Sequence, residues 1–384
     1  MERYQKLAQT LQEGGAVPDS MAPMWQEFGD RRKAPLFVAR AHAFESWTKF
    51  ARHVEELGQA GSTISQFEAA VDAIVAGDAR KLRRLLRANP KLVRARSLRG
   101  HRSMLLHYVS ANGVEDYRQK TPRNIVEIAK ILLDAGADVN AESNVYGGGS
   151  TALGLTATSY HPDEAGVQIA LMTLLIERGA KIDGPDSGSG VVGCLQNGRK
   201  QAAEFLAERG ARLTLHGAAG VGRVDVLAEF FHPGGRLKRG AKKRELTDAF
   251  GAACQFGRTG SVEFLLQHGV KIDTRLRYAS ETGLHWAGFG GDGEMVEFLI
   301  AHGAPLEVKD ERHQGTPLEW ALYAWGTAPK KKKRERYYDA VARLRRAGAK
   351  LDLAWFGRGR APIPKKMASD ARMQAALRGE LMGK

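Results

Sequence analysis

The sequence predicts an all-α chain, a solenoid of helix-turn-helix units behind an N-terminal helical cap. Three observations predict it. First, a phrase in which a glycine ends a helix and a small turn follows recurs as Gly136-Ala137-Asp138-Val139-Asn140, Gly179-Ala180-Lys181-Ile182-Asp183, Gly210-Ala211-Arg212-Leu213, Gly269-Val270-Lys271-Ile272-Asp273, Gly303-Ala304-Pro305-Leu306-Glu307 and Gly348-Ala349-Lys350-Leu351-Asp352. Glycine supplies the left-handed backbone that stops a helix. Second, the residues before these phrases, such as 128–133, 171–176, 262–266 and 296–300, place apolar side chains at i, i+3 and i+4, the stripe that a helix buries. Third, a shorter helix opens upstream of each. Its signal is fullest at Thr316-Pro317-Leu318-Glu319-Trp320-Ala321, where threonine caps and proline sits in the first turn.

In chain order, residues 1–65 carry no repeat and read as a few helices, one running from Ala41 to Leu57 and closed by Gly58-Gln59-Ala60-Gly61-Ser62. They hold Trp25, Phe28, Phe37, Phe44, Trp47 and Phe50. A solenoid exposes apolar surface at its ends, so this segment is expected to cap the stack by docking those rings on the first repeat. Repeats are expected over 66–354. The first unit, Phe67 to Leu86, ends at Asn89-Pro90 rather than at a glycine phrase, as terminal repeats often do. The tail, 355–384, carries Arg358, Arg360, Lys365 and Lys366, and is expected to be partly mobile and to finish in a short helix.

The opening at Thr282-Gly283-Leu284-His285-Trp286-Ala287 repeats the signal with glycine for proline, and Thr151-Ala152-Leu153, Leu106-His107-Tyr108 and Leu215-His216-Gly217-Ala218-Ala219 echo it. Here the sequence resembles the ankyrin repeat family, whose unit is a turn and two antiparallel helices over about 33 residues with a Thr-Pro-Leu-His-x-Ala opening. The resemblance covers about eight units. The Gly136 to Gly179 and Gly303 to Gly348 spacings exceed the family's length and imply insertions, while Gly210 to Gly269 must hold two degenerate units. The resemblance implies that His107, His216 and His285 are structural, each joining one turn to the next.

With 58 Lys and Arg against 43 Asp and Glu, the net charge is +15 and the pI near 9.8, a bias toward anionic partners. Two cysteines, Cys194 and Cys254, make neither a disulfide framework nor a four-cysteine zinc site, and they read as packing residues. The first residues lack a signal-peptide core and no stretch approaches the roughly 18 apolar residues of a membrane span, so a cytoplasmic protein is expected. The remaining histidines show no close ligand spacing. The glycine stretches 147–150 and 184–190 lack the P-loop lysine. No metal, cofactor or catalytic residue is therefore expected.

Binding is the expected function. The residue after the structural histidine, which the resemblance places on the concave groove, reads Tyr108, Leu155, Gly193, Gly217, Ala252, Trp286 and Trp320 along the chain. Partner contact is expected at Trp286 and Trp320, with Tyr108 as the far wall, together with Leu155, Phe289, Tyr323, and Arg275, Arg277, Tyr278, Arg312 and His313 on the turns. The partner is expected to be another protein with an acidic surface, met by a monomer. The alternatives are a nucleic-acid-associated factor and an enzyme whose site lies between the N-terminal segment and the repeats. The first would use two basic clusters, Arg236, Lys238, Arg239, Lys242, Lys243 and Arg244, and Lys330, Lys331, Lys332, Lys333, Arg334 and Arg336.

Overall fold

The computed structural model describes residues 1–17, 24–25, 30–184, 189–238, 243–328, 331–357 and 362–380. Expectations on Phe28, residues 185–188, Arg239, Lys242, Lys330, Arg358 and Arg360, and on the side chains of Lys243, Lys331, Lys332 and Lys333, lie outside that description. Among the described residues there is no strand, only isolated bridges such as Ser143 with Ser150. The chain divides into two compact units, Met1–Ala211 and Arg212–Lys384.

The first unit begins with α1 (Glu2–Gln12), α2 (Ala34–Ala41) and α3 (Trp47–Leu57), which close around Leu11, Phe37, Val38, Phe44 and Phe50. The single helix expected from Ala41 to Leu57 is broken, because Ala43 turns to φ +64° and Ser46 then caps α3 by accepting from the Lys49 amide at 3.3 Å. The rings pack mostly on one another, with Tyr4 edge-on to Phe50 at 4.9 Å and His42 stacked on Phe50 at 5.0 Å. Of these rings, Phe44 also takes part in the expected docking on the first repeat. The junction is made by α3 against α4 (Thr63–Ala76), by the Arg99 guanidinium 5.5 Å from the Phe44 ring centre, and by the Gly100 amide donating to the Ala43 carbonyl at 2.7 Å.

Helix pairs follow. Helix α4 pairs with α5 (Ala79–Ala88), and a 3₁₀ turn, Leu105–Ser110, pairs with α6 (Ile125–Asp134). Next come α7 (Ala152–Thr158), the short α8 (Tyr160–Glu164) and α9 (Gln168–Glu177), then α10 (Ser189–Gln196) with α11 (Lys200–Glu208). First members pack on first members and second on second, in two rows that bury Ile128, Leu132, Leu171 and Leu175. Helix α8 and the 143–150 loop take up the excess length before Gly179.

The second unit repeats the plan. The Gly210 to Gly269 stretch holds α12 (Leu215–Val221) with α13 (Val224–Ala228), and α14 (Lys243–Gln255) with α15 (Thr259–Gln267). Then come α16 (Gly283–Gly290) with α17 (Gly293–Ala301), and α18 (Pro317–Thr327) with α19 (Lys331–Arg346). These last two helices run 11 and 16 residues, so the long Gly303 to Gly348 spacing lies in longer helices. The tail expected to be partly mobile is, over its described residues, a 3₁₀ turn (Leu353–Gly357) and two helices, α20 (Pro362–Ser369) and α21 (Ala371–Leu377). It buries Trp355, Phe356, Ile363, Met367, Met373 and Ala376 in the core shared with α18 and α19.

The six phrase glycines sit at φ between +83° and +101°. A Cβ at any of them would meet nothing within 4 Å, so backbone conformation and not space demands glycine there. No described helix is long and apolar enough to cross a membrane.

Candidate functional site

The site grows from the openings of α16 and α18 and the turns that precede them. At α16, His285 Nδ1 accepts the Thr282 amide at 3.0 Å, which leaves Nε2 to donate to the Gly315 carbonyl at 3.1 Å. Burial pushes this imidazole down to about 4, so it stays neutral and ties its own turn to the next. His107 does the same in the first unit, accepting from Met104 at 3.1 Å and reaching the Ala141 carbonyl at 2.9 Å. His216 holds the equivalent place on α12 and is half-buried. The glycine that replaces proline at 283 has a packing cause, since a Cβ there would come within 2.7 Å of Cys254 Sγ and 2.9 Å of the Phe250 ring. Both cysteines are buried, and burial pushes the Cys194 thiol up to about 12 and Cys254 in the same direction. Neither is poised as a nucleophile. At α18, Glu319 takes the histidine's place, accepting the Thr316 amide at 2.7 Å, and burial raises its carboxyl above the ordinary range.

Two buried carboxylates aim the tryptophans. Glu281, 2% exposed, accepts the Ala279 amide at 2.6 Å and the Trp286 indole at 3.1 Å. Asp310, fully buried, accepts the amides of Arg312, His313 and Gly315 at 3.0, 2.6 and 2.9 Å and the Trp320 indole at 3.0 Å. Burial would raise Asp310, but the hydrogen bonds from His313, Gly315 and Trp320 outweigh it and hold the carboxyl below its usual value. The turn tip is thus wound around one carboxylate that also fixes an aromatic ring.

Those rings enclose a pocket of about 260 Å³, lined by Tyr278, Trp286, Phe289, His313, Trp320, Tyr323 and Trp355. Trp286 stands edge-on to Trp320 at 5.5 Å and to Phe289 at 5.7 Å. Tyr278 and Tyr323 are exposed at the mouth, at 59% and 38%, while Trp320 at 7% forms the floor. The sequence therefore named six of the seven lining residues. It missed Trp355, whose indole donates to the His313 carbonyl at 2.7 Å. The signal was the apolar spacing of Ile363 and Met367, then Met373 and Ala376, which shows that the chain past 354 buries a face.

The turn arginines divide. Arg312 lies over the Tyr278 ring, 5.1 Å from its centre, with its guanidinium on the phenol oxygen. Arg275 is exposed and donates to the Ser280 and Lys309 carbonyls at 2.6 and 3.2 Å. Arg277 pairs with Asp248 at 3.4 Å and does not line the pocket.

Two expected contact residues are corrected. Leu155 is 3% exposed, and Tyr108, expected as the far wall, is fully buried. Tyr108 lies under an ion network in which Arg99 binds Glu68 at 2.6 Å and Glu115 at 2.5 Å, while Arg118 binds Glu68 at 2.5 Å and Asp72 at 2.7 Å. Burial would raise both glutamates. The guanidiniums hold Glu68 below its usual range, and His101 with Arg99 brings Glu115 down to about 2. These paired, ionised carboxylates suit a structural lock better than proton transfer. Among the described residues no group of three or more His, Cys, Asp or Glu could hold a metal ion.

Residues 252–300, which run from α14 through α17, match the sequence model of ankyrin repeats (many copies). That segment carries ankyrin repeats. Among solved structures it is similar to the human ASB11 ankyrin repeat domain, at 21% identity over 70% of this chain and 95% of that one, with a TM-score of 0.35. It is also similar to the ankyrin repeat domain of Bcl-3, a member of the IkappaB protein family, at 18% identity over 70% and 96%, with a TM-score of 0.31. No curated protein matches the chain in sequence. Ankyrin repeats are protein-interaction modules, and residues 252–300 match that kind of module.

Proposed function

We propose that the ankyrin repeats of the second unit bind a partner protein through the aromatic pocket, which takes one apolar or aromatic side chain of the partner. The observation that carries the reading is the pocket itself: seven side chains from three successive turns and inner helices converge on one cavity of side-chain size, and two of its indoles are held by buried carboxylates. Rings fixed in this way lose little entropy on binding and make effective anchors. Exposed Arg275 and Arg312 beside the mouth favour acidic residues flanking the inserted side chain.

Selection of displayed random peptides against the full chain tests this. Enriched peptides should carry an aromatic or large aliphatic residue flanked by Asp or Glu. Trp286→Ala should weaken their binding by about 2 kcal/mol with the helical circular dichroism intact. Peptides that bind Trp286→Ala as tightly as the parent would sink the proposal.

A further inference from the structure

A second surface lies in the first unit, on residues at the end of the first repeat and just after it. Residues 79–96 contain eight arginines and lysines and no acid. Helix α5 buries Leu82 and Leu86, and at 100° per residue Arg80, Arg84 and Arg87 then stand on the opposite side, where all three are exposed. The 3₁₀ turn Pro90–Arg94 continues the surface. It buries Leu92 and Val93 and leaves Lys91 and Arg94 exposed three residues apart, which in a 3₁₀ turn puts them on one side. Among the described residues none of these five cations is paired with a carboxylate. The nearby acids are already engaged, Glu127 with Arg83 at 2.8 Å and Asp134 with Arg178 at 2.8 Å. Beside the helix, Arg83, Arg87 and Lys130 border a shallow groove of about 690 Å³ between α5 and α6.

We propose that this face of α5 and the turn after it docks on the phosphodiester backbone of a nucleic-acid duplex. Charge, spacing and the side chains that are missing all bear on the choice of partner. Five of the six exposed cations at 80, 83, 84, 87, 91 and 94 are arginines, whose planar guanidinium grips a phosphate through two hydrogen bonds. Arg80 to Arg87 spans about 10 Å of helix axis, which covers about three phosphates of one strand. No large hydrophobic residue is exposed between 79 and 96. An interfacial helix needs such residues to enter a bilayer, and a single-strand platform needs aromatic rings to stack bases. A face of cations alone reads a backbone and carries no base preference.

Fluorescence anisotropy of the full chain with a labelled duplex of about 20 base pairs, as DNA and as RNA, tests this between about 50 and 200 mM salt. The triple variant Arg80→Gln, Arg84→Gln, Arg87→Gln changes only exposed side chains, and its melting curve checks that it is folded. It should weaken binding at least about tenfold at the low-salt end and flatten the slope of log K against log salt by about 2 to 3. A second triple variant, Lys331→Gln, Lys332→Gln, Lys333→Gln, removes the same charge elsewhere and should leave duplex binding within about twofold. Equal weakening by the two variants would mean that net charge and not this face carries the affinity, and the proposal would fail. It would also fail if the parent bound neither duplex while sedimenting with phosphatidylserine–phosphatidylcholine vesicles in a manner that the first variant abolished.

Discussion

Tyr108 and Trp286 hold the same place in two repeats, directly after a buried histidine that ties its own turn to the next, yet one is sealed and the other lines a pocket. The difference lies in what surrounds each slot. Around Tyr108 the chain supplies a two-arginine, two-glutamate network, and the phenol sits 3.4 Å from Glu115. Beside Trp286 the buried carboxylate accepts the indole N–H at the ring's edge and leaves a face open to the cavity. Repeat register therefore places a side chain on the inner row, but the adjoining turn decides whether it is core or surface.

The largest expected effect breaks the sealed side of this comparison. Arg118→Ala should cost about 3–5 kcal/mol of stability, because it strands the buried Glu68 carboxylate with one partner fewer. Peptide binding at the aromatic pocket should be unchanged. Chemical denaturation reads the first quantity, and a loss below about 1 kcal/mol would mean that water already screens the network.

On the open side, Trp320→Ala should cost about 3 kcal/mol, the low end for a buried aromatic, since Trp320 is the pocket floor and nearly buried. Trp286→Ala should destabilise the fold much less and act mainly on binding. If the two variants melt alike, floor and wall do not differ as described.

Acidification compares the two regions through protons. His53 and His285 are each pushed by burial down to about 4, below the ordinary 6.5, so the folded chain binds fewer protons than the unfolded one between those values. Their contribution is full above pH 6.5 and is lost as pH falls toward 4, at up to about 1.4 kcal/mol per pH unit for each histidine. Glu115, held at about 2, adds a further loss below about 4.5, on the Tyr108 side only. His285→Gln should flatten the dependence of stability on pH between 6.5 and 4. An unchanged slope would show that His285 takes up a proton without unfolding its turn.

The smallest effect belongs to the rim. Arg312→Ala should weaken a selected acidic peptide by less than about 1 kcal/mol, more at low salt than at high, because the guanidinium is solvent-exposed. A loss as large as that of Trp286→Ala would move the site from the pocket to the turn tip.

Much of this was legible in the residues. The glycine phrases marked helix ends because only a left-handed backbone closes them, and a local torsional requirement is written in one residue. The slot after the histidine named Trp286 and Trp320, and six of seven pocket residues with them, because helical period and repeat register are also local properties. What the sequence could not yield were facts that join residues far apart. Trp355 reaches the pocket only because α20 and α21 fold back on α18 and α19. Tyr108 is buried only because Glu68, Arg99, Glu115 and Arg118, spread over 50 residues, converge on one another. Helix α5 leaves Arg80, Arg84 and Arg87 without a carboxylate because the acids of its neighbour are taken by Arg83 and Arg178. Torsion and period act between residues a few positions apart, so one sequence determines them. Burial and charge compensation depend on which distant side chains arrive, and that only the tertiary structure decides.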